Sequence, residues 1–139
     1  MPKYRLLTAD ELHVLKKEFI EFLVVNGITA TDWEKIKKED ITKAERTIEL
    51  FSDVVLEGSL RKIKYLKKIE NNNLYFFKYD EKEAHLVFVE TNGADKQVKK
   101  TSKKYIGNRE EEIYKMLNKG CEIDDKAIFE EIHNNLDDI

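Results

Sequence analysis

The sequence predicts an α+β fold with three N-terminal helices, a small antiparallel β-meander or hairpin, and two C-terminal helices. Three observations support this prediction. Helix caps followed by apolar residues at helical spacing occur in both the first and the last third of the chain. The segment 74–79 between them contains four aromatic residues in six positions, a density that is typical of strands. The composition, 41% apolar and 38% charged, indicates a globular domain with a highly charged surface.

The first helix is predicted to begin after Thr8. Thr8 and Glu11 have the spacing of a capping box, in which each side chain bonds the other residue's backbone N–H. Apolar side chains then recur every three or four residues, which places them on one face. The helix is predicted to end at Gly27, because glycine readily adopts the left-handed conformation found at helix ends.

Two further helices are predicted from the same signals. Thr31 with Glu34 opens a short helix, and Thr42 with Glu45 opens a longer one. Gly58 is predicted to end the longer helix. These caps complete the N-terminal group of three helices.

The sheet is predicted in the middle of the chain. Residues 60–69 fit either a strand or a helix, and Asn71–Asn73 is a turn signal. The aromatic segment 74–79 is the first clear strand, and 85–89 is the second, with a polar loop between them. The result is a β-hairpin, or a three-stranded meander if 60–69 joins it.

The C-terminal third returns to helical signals. Asn108 caps one helix that ends at Gly120, and Asp124 caps the last one. The segment before Asn108 is polar and lacks an apolar period, so it is predicted to be a loop. The chain is therefore predicted to be one α+β domain, 1–139, in four parts: helical 1–58, sheet 59–91, basic loop 92–107 and helical 108–139.

Charge is distributed in three blocks. Residues 1–58 carry 9 Lys and Arg against 12 Asp and Glu, a net charge of −3. Residues 59–109 carry 13 against 6, a net of +7, and residues 110–139 carry 3 against 10, a net of −7. Such segregation bears on binding partners rather than on chemistry.

Several protein classes are excluded by composition. The longest strongly apolar run is Phe22–Val25, whereas a membrane-spanning helix needs roughly 20 apolar residues. The single cysteine, Cys121, excludes an internal disulfide and a thiolate zinc cage. No signal-peptide-like apolar segment follows the first residues. We therefore expect a cytoplasmic protein without a membrane partner.

Several stretches of the chain carry a family resemblance: Lys3-Tyr4-Arg5-Leu6-Leu7-Thr8, Glu18–Leu23, Gly27-Ile28, Asp32–Lys37, Phe51–Gly58, Leu66, the strand 74–79, Lys103-Lys104-Tyr105 and Arg109. Together they resemble a family of small uncharacterised bacterial cytosolic proteins, a domain of unknown function. The resemblance implies a bacterial cytosolic protein. It carries no catalytic residue, since the family has no assigned activity.

No catalytic site is indicated by the residues themselves. Three histidines lie on different predicted elements: His13, His85 and His133. Four carboxylates recur on one face of the third helix, which is predicted to be solvated: Glu45, Glu49, Asp53 and Glu57. Acidic neighbours disfavour a reactive thiolate at Cys121. We therefore predict no catalytic residue, no metal ligand and no cofactor, and the protein is expected to be non-enzymatic.

The basic middle of the chain offers one candidate surface. Strand alternation places Tyr75, Phe77 and Tyr79 on one sheet face, where exposed rings flanked by lysines could stack on nucleic-acid bases. The candidate residues are Arg61, Lys62, Lys64, Tyr75, Phe77, Tyr79, Lys99, Lys100, Lys103 and Lys104. The alternative is that helices cover both sheet faces and the lysines only solvate the rim.

A protein interface is the second candidate surface. Val14 and Val25 fall away from the main apolar stripe of the first helix, so a partner or another helix of the chain could cover them. The function predicted first is a non-enzymatic intracellular module that binds another protein or itself, as a homo-oligomer. The alternative is a nucleic-acid- or ribosome-associated factor that uses the basic aromatic middle region.

Overall fold

A computed structural model describes residues 1–92 and 95–137 and confirms the α+β class. The helices in this part of the chain are α1 (Ala9–Val14), α2 (Lys16–Val25), α3 (Ala30–Glu39), α4 (Ile41–Arg61), α5 (Arg109–Asn118) and α6 (Ile128–Asp137). The strands are β1 (Tyr65–Glu70), β2 (Asn73–Tyr79), β3 (Glu83–Asn92), β4 (Asp95–Lys104) and β5 (Glu122–Ile123). None of these described helices combines the length and apolarity that a membrane span requires.

The chain divides into two compact units, unit 1 (Met1–Gly58) and unit 2 (Ser59–Ile139). This boundary coincides with the predicted change from helical to sheet-forming sequence. The single domain predicted over 1–139 stays a prediction.

The first predicted helix is two helices. Its capping box is confirmed, because the Thr8 side chain accepts from the Glu11 N–H and the Glu11 side chain accepts from the Thr8 N–H. Gly27 has the predicted positive φ, 75°. Between α1 and α2, however, Leu15 leaves the helical conformation at φ −94° and ψ 20°. The prediction of three N-terminal helices is therefore wrong, since the apolar spacing continues unchanged through this interruption and gives no sign of it.

The caps of α3 and α4 lie earlier than predicted. The box at α3 uses Thr29 and Asp32, not Thr31 and Glu34, because the shorter acid also reaches the backbone N–H of the capping residue. At α4 the carboxylate of Asp40 accepts the Lys43 N–H at 3.1 Å, and the helix then continues through the predicted stop at 58 to Arg61.

Of the four carboxylates on α4 that were predicted to be solvated, Glu45 is exposed, and the other three contact the N-terminal segment: Glu49, Asp53 and Glu57. Asp53 accepts the backbone N–H of Lys3 at 2.8 Å, and Glu57 lies 3.3 Å from the Lys3 ammonium. Further along, the fully buried Ser52 hydroxyl accepts the Leu7 N–H at 3.0 Å. Contacts with the first three residues therefore account for three of these four carboxylates.

Unit 2 contains a five-stranded antiparallel sheet in the order β4-β3-β2-β1-β5. It is larger than the predicted hairpin or three-stranded meander. The ambiguous segment 60–69 contains both the end of α4 and most of β1. The predicted basic loop 92–107 is wrong over 95–104, which form β4, and residues 93–94 lie outside the described residues. Pattern reasoning missed β4 because it is an edge strand with side chains exposed on both faces, so it lacks an apolar alternation.

Helices lie against both faces of the sheet. On one face, Phe129 of α6 packs in a core cluster with Phe76, Val87 and Val89. On the opposite face, Met116 of α5 lines a cleft of about 230 Å³ together with side chains of β2, β3 and β4. The alternative of a sheet covered on both sides is therefore correct for part of its area.

Arg109 connects the elements of unit 2. Its guanidinium donates hydrogen bonds to backbone carbonyls at the end of α4 (Leu60), before β1 (Ile63), at the end of β2 (Tyr79) and in the following turn (Asp80). The side chain is only 15% exposed. Backbone carbonyls at element ends often lack partners within the element, and Arg109 adds a donor to each of these four. Two of them have a second donor, because Leu60 also accepts the Ile63 N–H and Asp80 also accepts the Tyr105 hydroxyl.

Replacing Arg109 by lysine should destabilise the protein despite keeping the charge. A lysine ammonium is a point donor and cannot reproduce the planar fork that reaches four carbonyls. We expect Arg109→Lys to lower the free energy of unfolding by about 2–3 kcal/mol, measured by urea denaturation. The exposed Arg46 provides the control, and Arg46→Lys should change the free energy by less than about 0.5 kcal/mol. Equal effects of the two substitutions would contradict the role of Arg109.

Candidate functional site

An apolar groove lies among the helices of unit 1. It lies between the α1–α2 pair and α3, with α4 behind it, and it encloses about 530 Å³. Apolar side chains dominate its lining: Leu12, Phe19, Ile20, Leu23, Val24, Ile28, Trp33 and Ile48. We refer to this feature as the unit 1 groove.

Aromatic packing fixes the shape of the groove. The Phe19 ring lies edge-on to Trp33 at a centroid distance of 5.2 Å and edge-on to Phe51 at 4.9 Å. These rings hold α2 against α3 and α4 in a geometry that aromatic pairs prefer. Leu23 is only 4% exposed, whereas Ile20 and Val24 on the rim are 48% and 65% exposed. The groove therefore has a rigid floor and an open apolar rim.

The charged residues of the groove lie around its apolar floor. Glu34 and Lys37 form an ion pair at 2.9 Å, and the hydrogen bond from Lys37 lowers the pKa of the Glu34 carboxyl. The remaining charged or titratable lining residues are His13 and Lys16. Because Glu34 is balanced by Lys37, the rim has an excess of positive charge.

Val14 and Val25 are 79% and 85% exposed, but neither lines the groove. The residues that sequence reasoning missed are Ile20 and Val24, which lie one turn apart on α2 and beside the groove. Their four-residue spacing was the available signal.

The structure separates the predicted nucleic-acid residues into three environments. The register places Tyr75, Phe77 and Tyr79 on one face, but Tyr79 is only 5% exposed while the other two are half-buried. The lysines at 99, 100, 103 and 104 are exposed on β4. The remaining residues lie at the end of α4 and in the loop before β1, and all are exposed: Arg61, Lys62 and Lys64.

A polar cluster connects the β2–β3 turn to β4. His85 lies 2.7 Å from the Asp80 carboxylate through Nε2 and 2.8 Å from the Ser102 hydroxyl through Nδ1. Ligand atoms of Asp80, Glu83 and His85 lie within 4.8 Å of one another, a spacing that a metal ion could use. However, Asp80 also accepts the backbone N–H groups of Lys82 and Glu83 at 2.8 and 2.7 Å. These hydrogen bonds show that the Asp80 side chain stabilises the β2–β3 turn. We therefore assign the cluster a structural role.

Serine, imidazole and carboxylate are also the components of a hydrolase triad. In that triad Nε2 faces the serine and Nδ1 faces the carboxylate, whereas His85 has the reverse orientation. Sequence reasoning missed the cluster because it placed Ser102 in a loop.

Cys121 and the other two histidines, His13 and His133, lie outside this polar cluster. Cys121 is buried, and this burial raises the pKa of its thiol, which disfavours the nucleophilic thiolate. The His133 ring lies edge-on to Phe129 at 5.5 Å beneath the sheet. His13 lies at the groove in unit 1.

The turn cluster predicts a specific acid dependence of stability. Hydrogen bonds, first from the Glu83 N–H and then from His85, lower the pKa of Asp80 to about 2. A carboxyl whose pKa is lowered by folding stabilises the protein fully above its unfolded pKa of about 3.9. This stabilisation is lost as the pH falls towards about 2.

We expect Asp80→Asn to lower the free energy of unfolding at neutral pH by about 0.5–1 kcal/mol, a value reduced for solvent screening of a side chain that is 41% exposed. The difference from wild type should vanish near pH 2, as measured by urea denaturation across this range. Asp125→Asn, at an exposed position in the loop before α6, should not reproduce this convergence. A constant difference at all pH values would contradict the assignment.

Comparisons with curated proteins and with solved structures find no match for this chain. A family model, described as a family of unknown function (DUF6495), matches residues 1–101. The match includes all of unit 1, strands β1–β3 and most of β4, and it ends before Arg109. It confirms the predicted resemblance to a family without an assigned function. The chain belongs to the DUF6495 family of unknown function.

Proposed function

We propose that this protein is a cytoplasmic, non-enzymatic interaction module, and that the unit 1 groove binds an amphipathic helix of another protein. The observation that carries this proposal is the open apolar groove of about 530 Å³ beside the exposed side chains of Ile20 and Val24. Grooves with an apolar floor and a charged rim receive helices that present apolar residues at helical spacing.

The aromatic content of the groove supports a protein ligand. Trp33 is the single tryptophan of the chain and lies in the groove wall beside Phe19. Tryptophan is enriched among the few residues that supply most of the binding energy at interfaces. The T-shaped contact with Phe19 orders the Trp33 ring before binding, which reduces the entropic cost of association.

The proposed occupant of the groove is another protein rather than a second copy of this chain. Among the helices that the structure describes, α6 is acidic and has the clearest apolar face, so it is the helix that a second copy would offer to the positive rim. That face is occupied, because Phe129 packs with the sheet and Ile128 and Ile132 lie beside it. The positive rim around Lys16 favours a partner helix with acidic residues flanking its apolar face.

An enzymatic role for the groove is less well supported. An active site requires titratable groups that converge on one reacting position. The titratable residues here lie around an apolar floor formed by Phe19, Leu23 and Ile48, and the Glu34 carboxylate is paired with Lys37.

A glutamate at position 24 tests the groove directly. Val24 is 65% exposed, so Val24→Glu should change the free energy of unfolding by less than about 0.5 kcal/mol. In the complex the same carboxylate would be buried against apolar groups, and we expect partner binding to weaken by at least about tenfold. Affinity capture from native cells after nuclease treatment, quantified by mass spectrometry, identifies the partner. Its affinity is then measured with purified proteins.

Val25→Glu is the matched control. It introduces the same charge one residue away, at a site that is 85% exposed and outside the groove lining. Loss of binding with Val24→Glu alone supports the groove, whereas equal retention or equal loss with both variants contradicts it. A concentration-dependent homodimer abolished by Val24→Glu would identify a second copy as the occupant and overturn the choice of partner.

Trp33 provides an independent readout of occupancy. A synthetic peptide of the partner helix, located by cross-linking, should shift the tryptophan emission to shorter wavelength as water leaves the groove. Because Trp33 is the only tryptophan of the chain, its signal can be followed directly if the peptide contains none. A peptide that binds without changing this emission would place the interface elsewhere.

A further inference from the structure

We propose that unit 2 binds single-stranded nucleic acid on the sheet face that carries Tyr75 and Phe88, with the lysines of β4 contacting the phosphates. This proposal concerns a different unit from the groove and does not depend on it. It rests on the register of the sheet, the exposure of β4 and the uneven cover that the helices give to the two faces.

A row of four side chains crosses this face. Lys68 is paired with Tyr75, Tyr75 with Phe88, and Phe88 with Lys99 in the antiparallel register. The Tyr75 and Phe88 rings are half-buried, with centroids 4.8 Å apart and planes inclined by 33°. The row therefore consists of two touching rings with a lysine on either side. Aromatic side chains on a sheet flanked by cations are the arrangement on which single-stranded bases stack.

The lysines of β4 extend this positive surface along the sheet edge. Lys99 and Lys103 are paired with Phe88 and Ala84, so they lie on the same face as the rings. Lys96, Lys100 and Lys104 lie on the opposite face of the same strand. All five are exposed. A phosphate backbone that runs along β4 would meet cations on both sides of the edge, and phosphate contacts of this kind supply most of the non-specific affinity.

The helices bury this face unevenly, and Tyr75 and Phe88 are only half-buried. Tyr79, at the α5 end of the same face, is only 5% exposed. At the β1 end of the row, Lys68 donates a hydrogen bond to the carbonyl of Lys119, the residue that ends α5, at 3.1 Å. The Lys68 ammonium also lies 3.5 Å from the Glu70 carboxylate. These contacts fix Lys68 beside the rings and mark where the cover by α5 ends. The binding surface is therefore the Tyr75–Phe88 end of the face and excludes the buried Tyr79.

Nucleic acid fits this surface better than an acidic peptide does. A peptide that joined the edge of β4 would use the backbone of that strand and would not need two adjacent rings on β2 and β3. Nucleobases have flat π-faces, and single strands expose them, whereas a duplex keeps them stacked inside. The net charge of the chain, −3, does not oppose binding, because screening limits the field that matters to about 8 Å.

The test is fluorescence anisotropy with the full-length protein and labelled oligouridine and oligothymidine of about 12 nucleotides. Binding should weaken steeply between about 50 and 200 mM salt. Tyr75→Leu removes the flat ring but keeps an apolar side chain, and we expect it to weaken binding about tenfold. The double variant Lys99→Gln/Lys103→Gln should lower the slope of log K against log salt by about 1.4, which corresponds to two phosphate contacts.

Two controls separate this surface from general effects. Lys35→Gln/Lys38→Gln makes the same change of charge at exposed positions on α3 and should leave affinity and slope unchanged. Tyr75→Trp keeps an aromatic face and should bind at least as tightly as wild type. If Tyr75→Leu and Tyr75→Trp weakened oligonucleotide binding equally, the stacking contact would be overturned. This holds even if Tyr75→Leu folds poorly, because Tyr75→Trp keeps the ring and tests stacking independently.

The remaining outcomes also decide the proposal. Absence of binding at low salt overturns it. Dependence on the lysines without dependence on Tyr75, or equal competition by poly-glutamate, would show a general polyanion surface and overturn it. A duplex that binds as tightly as the single strands would do the same. Specific loss with Tyr75→Leu and with the β4 lysine variant, together with unchanged binding of both controls, supports it.

Discussion

The Arg109 guanidinium is the constraint on which unit 2 depends. Helix α4 ends, β1 begins and β2 turns into β3 within reach of this one side chain, which donates to a backbone carbonyl at each of these places. The neighbouring Tyr105 hydroxyl lies 2.7 and 2.9 Å from the carbonyls of Asp80 and Glu83, and burial raises the pKa of this tyrosine to about 12, so it remains a neutral donor. The start of α5 is thereby bound to the sheet end that carries Tyr79. Tyr75, further along the same face, is half-buried, whereas Tyr79 is 5% exposed.

The local features of the fold could be predicted from the sequence, and the non-local ones could not. The caps at Thr8 and Asn108 and the positive φ values of Gly27 and Gly120 depend on a few neighbouring residues. Strand β4 depends instead on hydrogen bonds to β3, and its lysine-rich sequence has no apolar face to reveal it. The row through Tyr75 and Phe88 could not be predicted from the sequence either, because it forms only when the register of four strands is fixed. In unit 1, the apolar stripe of α2 indicates that one face of this helix is covered. It does not indicate which side chains remain exposed beside an open groove.

The two proposed surfaces use the charge pattern differently. The acidic block near the C-terminus meets the basic middle inside unit 2, where Glu130 lies 2.6 Å from Lys78 and accepts a hydrogen bond from Tyr65. The hydrogen bond from Lys78 lowers the pKa of Glu130, and the same hydrogen bond raises the pKa of Lys78, so both remain charged at neutral pH. This pairing takes place on β2, in the interior of the sheet order. It accounts for part of the opposite charge of the two blocks without involving the lysine-rich edge.

The family match ends inside unit 2. Residues 1–101 contain the whole unit 1 groove and the Tyr75–Phe88 pair, whereas Arg109 and both C-terminal helices lie beyond it. Yet Arg109 acts on carbonyls of residues inside the matched region, among them Ile63 and Tyr79. Backbone carbonyls in the matched part of unit 2 therefore accept hydrogen bonds from donors that lie after residue 101. In unit 1 the corresponding contacts are internal, since Ser52 and Asp53 hold the N-terminal segment from within the same unit. The groove thus has all of its described structural support inside the matched region, while the aromatic sheet face depends on Arg109 and the helix that it begins.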